Sequence, residues 1–97
     1  MAYDPGAIDA TLAAAVGDEP QLIAELRIAF VESAERALTS MTQATNAEDW
    51  RVAAWRLKGL AASFGAVRLM AIATAVAEGA PCDAKGLERL RGAVARL

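Results

Sequence analysis

The sequence predicts an all-α fold: an antiparallel four-helix bundle with a short additional helix at its N-terminal side, all in one domain spanning residues 1–97. Three observations predict it. Alanine, leucine, glutamate and arginine dominate, and 25 residues are alanine, the residue that costs least to fix in a helix. Apolar residues recur at intervals of three and four, and there is no strand-like alternation, internal repeat or low-complexity segment. Glycine and proline together number ten, too few for a loop-rich fold, and turn and cap signals cut the chain into five helical stretches.

Asp4 before Pro5 is a start signal with proline at the first helical position, and Gly17 is placed to end that helix near Val16. Asp18 can cap the second helix, with Glu19 and Pro20 in its first turn. This helix runs from about Pro20 to Gln43, and Leu22, Leu26, Ala29, Phe30, Ala34, Ala37, Leu38 and Met41 make one buried stripe along it. Thr45-Asn46 breaks the pattern, and Asn46 with Asp49 three residues on resembles a capping box. The third helix runs from about Ala47 to Ala62, with Trp50, Ala54, Leu57, Ala61 and Phe64 stepping by four and three as a seam. Ser63-Phe64-Gly65 marks a break. A fourth helix from about Ala66 to Ala77 buries Leu69, Ile72, Ala73 and Val76. Gly79-Ala80-Pro81 turns the chain, and Asp83 caps a last helix carrying Leu87, Leu90, Val94 and Leu97.

Composition narrows the chemistry. The chain has no histidine, which removes the commonest general base and the commonest metal ligand. Serine–histidine and cysteine–histidine nucleophile systems and imidazole-built zinc sites are excluded. With one cysteine, Cys82, no intramolecular disulfide or cysteine cluster can form, which fits a reducing compartment and a cytoplasmic location. Cys82 itself reads as an incidental thiol in a turn. No catalytic residue, no metal site and no cofactor is expected, and the chain is not expected to be an enzyme. The start MAYDPG lacks the basic and apolar regions of a signal peptide. No uncharged apolar run reaches membrane-spanning length, since Arg68 interrupts the longest candidate, so no membrane partner is expected.

Charge is segregated. Residues 1–49 carry nine acids and two bases, net −7; residues 50–97 carry three acids and eight bases, net +5. One reading is that the charged faces are solvated and that the two halves attract each other within the bundle. The other is a basic docking face around the third helix. Nucleic acid is not an expected partner, because the whole chain has a net charge of −2.

Residues 50–66 read WRVAAWRLKGLAASFGA. Opposite the buried seam, helical spacing brings together Arg51, Trp55, Lys58, Gly59 and Ala62. Glycine in mid-helix costs about 1 kcal/mol relative to alanine, a cost that makes sense where another molecule or helix must come close. A large indole and a cation flank this bare position, a pattern suited to an acidic partner. The residues alone leave Trp55 three readings: a core residue through a shift in register, an inconsequential surface residue, or an interface anchor of the kind tryptophan often supplies. Trp50 reads as core or helix-start packing, as do Phe30, Phe64, Leu26 and Leu57. Gly59 could alternatively serve close helix packing, whereas Gly65 reads as the structural break before the fourth helix.

The stretch A-A-W-R-L-K-G-L-A-A-S-F-G-A resembles the signature of histidine-phosphotransfer (HPt) domains of bacterial phosphorelays. In that family the pattern is A-H-x-L-K-G, a run of small residues, then G-A and a leucine. Ala54, Leu57, Lys58, Gly59, Gly65, Ala66 and Leu69 match, over sixteen residues. The early D-P, the long second helix with Phe30 and the Asp49-Trp50 start of the third helix extend the likeness over nearly the whole chain. The resemblance implies an HPt-like four-helix bundle whose partners are a response-regulator receiver domain or a sensor histidine kinase. It also places the family's phospho-accepting histidine at position 55, where this chain has Trp55. An indole nitrogen is only a hydrogen-bond donor and cannot accept a phosphoryl group as imidazole does. Lys58, which sits beside the phosphorylated site in the family, carries over by position only.

The sequence therefore predicts a module of two-component signalling without the phosphorylatable histidine. It would act as a non-catalytic binding or regulatory partner, with Arg51, Trp55, Lys58, Gly59 and Ala62 as its docking face, and as a monomer rather than a homodimer. Two other classes are carried beside it: a phosphotransfer intermediate with a non-histidine acceptor, and a structural module that associates with itself through the Trp55 face.

Overall fold

The structure, a computed structural model, describes the backbone of residues 5–17 and 19–97 and the side chains of residues 10–17 and 19–97. Among these residues the chain forms five helices and no strand: α1 (Pro5–Val16), α2 (Pro20–Gln43), α3 (Ala47–Ser63), α4 (Val67–Glu78) and α5 (Ala84–Ala95). All five lie within about one residue of the bounds that the turn and cap signals predict.

The helix ends follow from identifiable local chemistry. Gly17 takes a left-handed φ of 83° and its N–H bonds the carbonyl of Ala13 at 2.8 Å, closing α1. Glu19, expected in the first turn of α2 behind a capping Asp18, itself stands at the N-cap, makes no side-chain cap bond, and has Pro20 directly inside the helix; Asp4 and Asp18 lie outside the described residues. The Asn46 carboxamide oxygen accepts the Asp49 N–H at 2.8 Å, and its amide donates to the Asp49 carboxylate at 2.9 Å. Both groups of the Asn46 side chain are thus spent on starting α3, and Asn46→Ala is expected to cost about 1 kcal/mol in chemical denaturation. At the other end of α3, Gly65 adopts φ 71°, the Ala66 N–H reaches back to Ala61 O at 2.9 Å and the Gly65 N–H to Ala62 O at 3.4 Å. These paired bonds satisfy carbonyls that the end of a helix would otherwise leave bare. Asp83 caps α5 by accepting from the N–H groups of Lys85 and Gly86, each at 3.2 Å.

α2, α3, α4 and α5 form a closed ring of neighbours: α3 packs on α2 and α4, α5 packs on α4 and α2, and among the described residues α1 meets α2 alone. α2 and α3 run in opposite directions, since Phe30 in α2 stacks on Phe64 just past the end of α3, ring centroids 4.5 Å apart. α2 and α5 are tied by two long-range bonds: Arg27 Nη1 donates to Leu97 O at 2.8 Å, and Arg91 Nη2 donates to Thr42 Oγ1 at 2.9 Å. The largest fully buried side chains are Trp50, Phe30, Met41, Leu57, Leu69 and Leu90. Ala34, Ala37, Ala54, Ala61 and Ala73 fill the spaces between them, and no polar or charged residue is buried among those described. Small residues at the crossings let helix backbones approach closely, so the alanine-rich composition is a packing device as well as a helix-forming one.

The expected α2 stripe is buried only in part. Phe30, Ala34, Ala37, Leu38 and Met41 are buried and Leu26 is half-buried, but Leu22 and Ala29 are exposed. Length accounts for Leu22, which stands in the first turn of the 24-residue α2 beside the 12-residue α4 and α5, whereas Ala29 adjoins the buried Phe30 in a covered turn and points outward from it. The α3 seam is buried as predicted at Trp50, Ala54, Leu57 and Ala61, with Phe64 half-buried. No described helix is long and apolar enough to cross a membrane.

Candidate functional site

α3 is a two-faced helix. Burying Trp50, Ala53, Ala54, Leu57 and Ala61 against α2 and α4 leaves the residues one half-turn away pointing outward. Arg51, Trp55, Gly59 and Ala62 are exposed there and Lys58 is half-buried, so the structure brings all five sequence-predicted residues onto one face. Trp55 is 44% exposed, whereas Trp50, five residues earlier, is 2% exposed. No register shift has taken Trp55 into the core.

The Lys58 ammonium lies over the Trp55 ring, 4.5 Å from its centroid. A cation–π contact at such an exposed place contributes about 0.5–1 kcal/mol, enough to bias the lysine rotamer and weak enough to yield to a partner. Arg51, one turn before Trp55, is exposed with no hydrogen-bond or ion-pair partner among the described residues.

Gly59 decides between its two readings. A Cβ built at Gly59 would meet nothing within 4 Å, so no neighbouring helix requires glycine there. Gly86 in α5 is the opposite case, where a Cβ would come within 3.2 Å of a Val76 methyl and 3.3 Å of the Asp83 carboxylate. Gly92 in α5 is also open, so vacancy alone does not make a site. What sets Gly59 apart is the exposed indole one turn before it and the cation beside it. Two glycines six positions apart should therefore respond oppositely to alanine. Gly59→Ala is expected to raise stability by about 1 kcal/mol, and Gly65→Ala, with its positive φ, to lower it by about 1–2 kcal/mol, both read from denaturation midpoints.

The face extends further than the sequence-predicted residues. Val52, 53% exposed, lines a shallow groove with Glu48, Arg51 and Trp55. A second groove runs between α3 and the end of α4, lined by Trp50, Arg51 and Trp55 on one side and by Ala77, Glu78, Gly79 and Pro81 on the other. Val52 stands three residues before Trp55 and seven before Gly59, a spacing that could have found it. The α4–α5 turn carries no sequence signal of its proximity to Trp55.

The five sequence-predicted residues offer a guanidinium, an ammonium, an indole and bare helix backbone, groups suited to recognition, and the carboxylates of Glu48 and Glu78 line the grooves beside them. Among the described residues no three His, Cys, Asp or Glu side chains cluster so as to hold a metal ion. Comparison of the chain with protein-family models, with curated proteins and with solved structures gives no match.

Proposed function

We propose that this protein is an HPt-like four-helix bundle that has lost phosphotransfer chemistry and serves two-component signalling by binding. Its partner is a receiver domain or a sensor histidine kinase, met in the cytoplasm. The support is the motif running from Ala54 to Leu69, together with the closed ring of α2 to α5, in which Ala54, Leu57, Ala66 and Leu69 of the motif are buried while Trp55, Lys58 and Gly59 lie on the outer face of α3. The observation that carries the reading is Gly59: an open, mid-helix glycine that no internal contact requires, next to an exposed tryptophan at the position where the family has histidine.

The mechanism is steric. Bare backbone at Gly59 admits a partner's side chain or helix to within van der Waals distance. Trp55 supplies apolar area, of the kind that dominates binding hot spots. Arg51 and Lys58 select an acidic surface and speed encounter with it. With an indole at position 55 no phosphoryl group can be accepted there, so the bound partner is occupied without being discharged. The module then either competes for a partner's phosphotransfer surface or holds two relay components together.

Calorimetric titration against receiver domains, repeated with Trp55→Ala and Gly59→Arg, tests this. Binding of the wild type that is weakened in both variants supports the face; binding unchanged in both removes it.

A further inference from the structure

α5 has an outward face of its own. Lys85, Arg89, Gly92 and Arg96 follow one another at intervals of four, three and four, so they form one row along the helix. The row turns away from the buried Gly86, Leu90, Ala93 and Val94. Lys85, Arg89 and Arg96 are exposed, and their side chains have no hydrogen-bond or ion-pair partner among the described residues. A Cβ built at Gly92 would meet nothing within 4 Å. The backbone there is open to a visitor, with a guanidinium one turn before it and another one turn after.

The positive charge of this row is not cancelled locally. From Asp83 to Leu97 there are four bases, Lys85, Arg89, Arg91 and Arg96, and two acids, Asp83 and Glu88, a net of +2. The Asp83 carboxylate accepts the N–H groups of Lys85 and Gly86, which holds it at the start of the helix. Glu88 is exposed at the edge of the row, one turn from Lys85. After Glu88 come three arginines and no acid, so the half of the row around Gly92 is wholly basic. Acids on the neighbouring helices bound the patch. Glu78, at the end of α4, lines the groove beside Trp55, toward α3. On α2, Glu25, Glu32 and Glu35 are exposed, and Arg91 reaches toward that helix to bond Thr42.

α3 and α5 make no contact among the described residues; each packs on α2 and on α4, so they stand across the ring from one another. A molecule seated on the outward side of one leaves the outward side of the other clear.

We infer that α5 is a second docking face, for an acidic helix of a protein partner, and that the module holds this partner and the α3 partner at once. The row spans about 16 Å of helix, which matches carboxylates repeated at one-turn spacing over roughly three turns of a partner. The open backbone at Gly92 lets such a helix pack closely between the two guanidinium groups. α5 exposes no large hydrophobic residue, so it has nothing to insert into a bilayer. A long polyanion would run past the row onto the acids of α2, whereas a short acidic helix stays within it. The docking face stands on α5 alone. The joint holding rests on the α3 reading, and it selects, between the two mechanisms given there, the module that joins two components over the one that competes.

The test uses the intact protein at physiological ionic strength and a synthetic alanine-based helical peptide with glutamate at every fourth position. Amide chemical-shift mapping by NMR locates the contact. Shifts should gather on Arg89, Gly92 and their neighbours in α5 and leave α3 unmoved. R89E/R96E, with its helical fold confirmed by far-UV circular dichroism, should weaken binding by about tenfold or more. A peptide of the same composition, with its glutamates scattered around the helix, should also bind more weakly. Absence of binding, shifts centred on another helix, or equal binding by the double variant or the scattered peptide overturns the α5 face. With the α3 face saturated by a receiver domain, the acidic peptide should bind with unchanged affinity, and its displacement overturns the joint holding alone. A receiver domain that does not bind at all defeats the α3 reading and the joint holding with it, while the peptide map still decides the α5 face.

Discussion

Trp50→Ala is expected to destabilise the protein by about 3–5 kcal/mol, and Trp55→Ala, which loses chiefly the Lys58 contact, by about 1 kcal/mol or less. The two tryptophans are five residues apart on one helix, and the difference comes entirely from which way each points. Trp50 is 2% exposed and is among the largest fully buried side chains, so its removal leaves a cavity where α3 meets its neighbours. Against the 5–15 kcal/mol typical of a domain, that is a large part of the total stability. The Trp50 indole N–H is itself buried without a hydrogen-bond partner. Trp50→Phe removes that unpaired donor along with some volume, and should cost clearly less than the alanine variant. Urea denaturation followed by circular dichroism reads all three variants, and an unchanged slope identifies the shift as one of stability. Equal losses for Trp50→Ala and Trp55→Ala would mean that the two faces of α3 are wrongly assigned.

Gly59→Arg should weaken partner binding by at least about tenfold while leaving the fold intact or slightly more stable. Arginine is a better helix former than glycine by close to 1 kcal/mol, and open space surrounds position 59. A long side chain there fills the notch that a partner must enter, at a site beside the Trp55 anchor where losses of about 2 kcal/mol are ordinary. The opposite signs on stability and binding separate this variant from one that binds poorly because it unfolds. An added positive charge also rules out loss of attraction to an acidic surface as the cause, leaving exclusion as the mechanism.

Much of this arrangement is legible in the sequence because it is written in local chemistry. Asn46 and Asp83 announce helix starts through side chains that bond nearby backbone N–H groups, and Gly65 announces a stop through a conformation glycine tolerates. The outward face of α3 follows from the 3.6-residue period once Trp50, Ala54, Leu57 and Ala61 are assigned inward. What escapes the sequence depends on tertiary reach. Leu22 and Ala29 continue the apolar rhythm of α2 and are nevertheless exposed, Leu22 in an end turn beside shorter helices and Ala29 in a covered turn but directed away from the buried Phe30. The approach of Gly79 and Pro81 to Trp55 depends on how α3 and α4 cross. Cys82, in the same turn, takes a left-handed φ of 56°, which a residue with a Cβ seldom adopts and which nothing in its neighbours predicts.

The central claim is that the indole at position 55 has exchanged phosphoryl chemistry for contact. The chain has only two tryptophans, one buried and one on the candidate face, so acrylamide quenching of intrinsic fluorescence reads that face directly. In the free protein one tryptophan should be quenched readily and the other should be protected. On saturation with a receiver domain that lacks tryptophan, the accessible tryptophan should become protected, and Gly59→Arg should abolish that protection. A complex in which Trp55 stays as open to quenching as in the free protein would contradict the account.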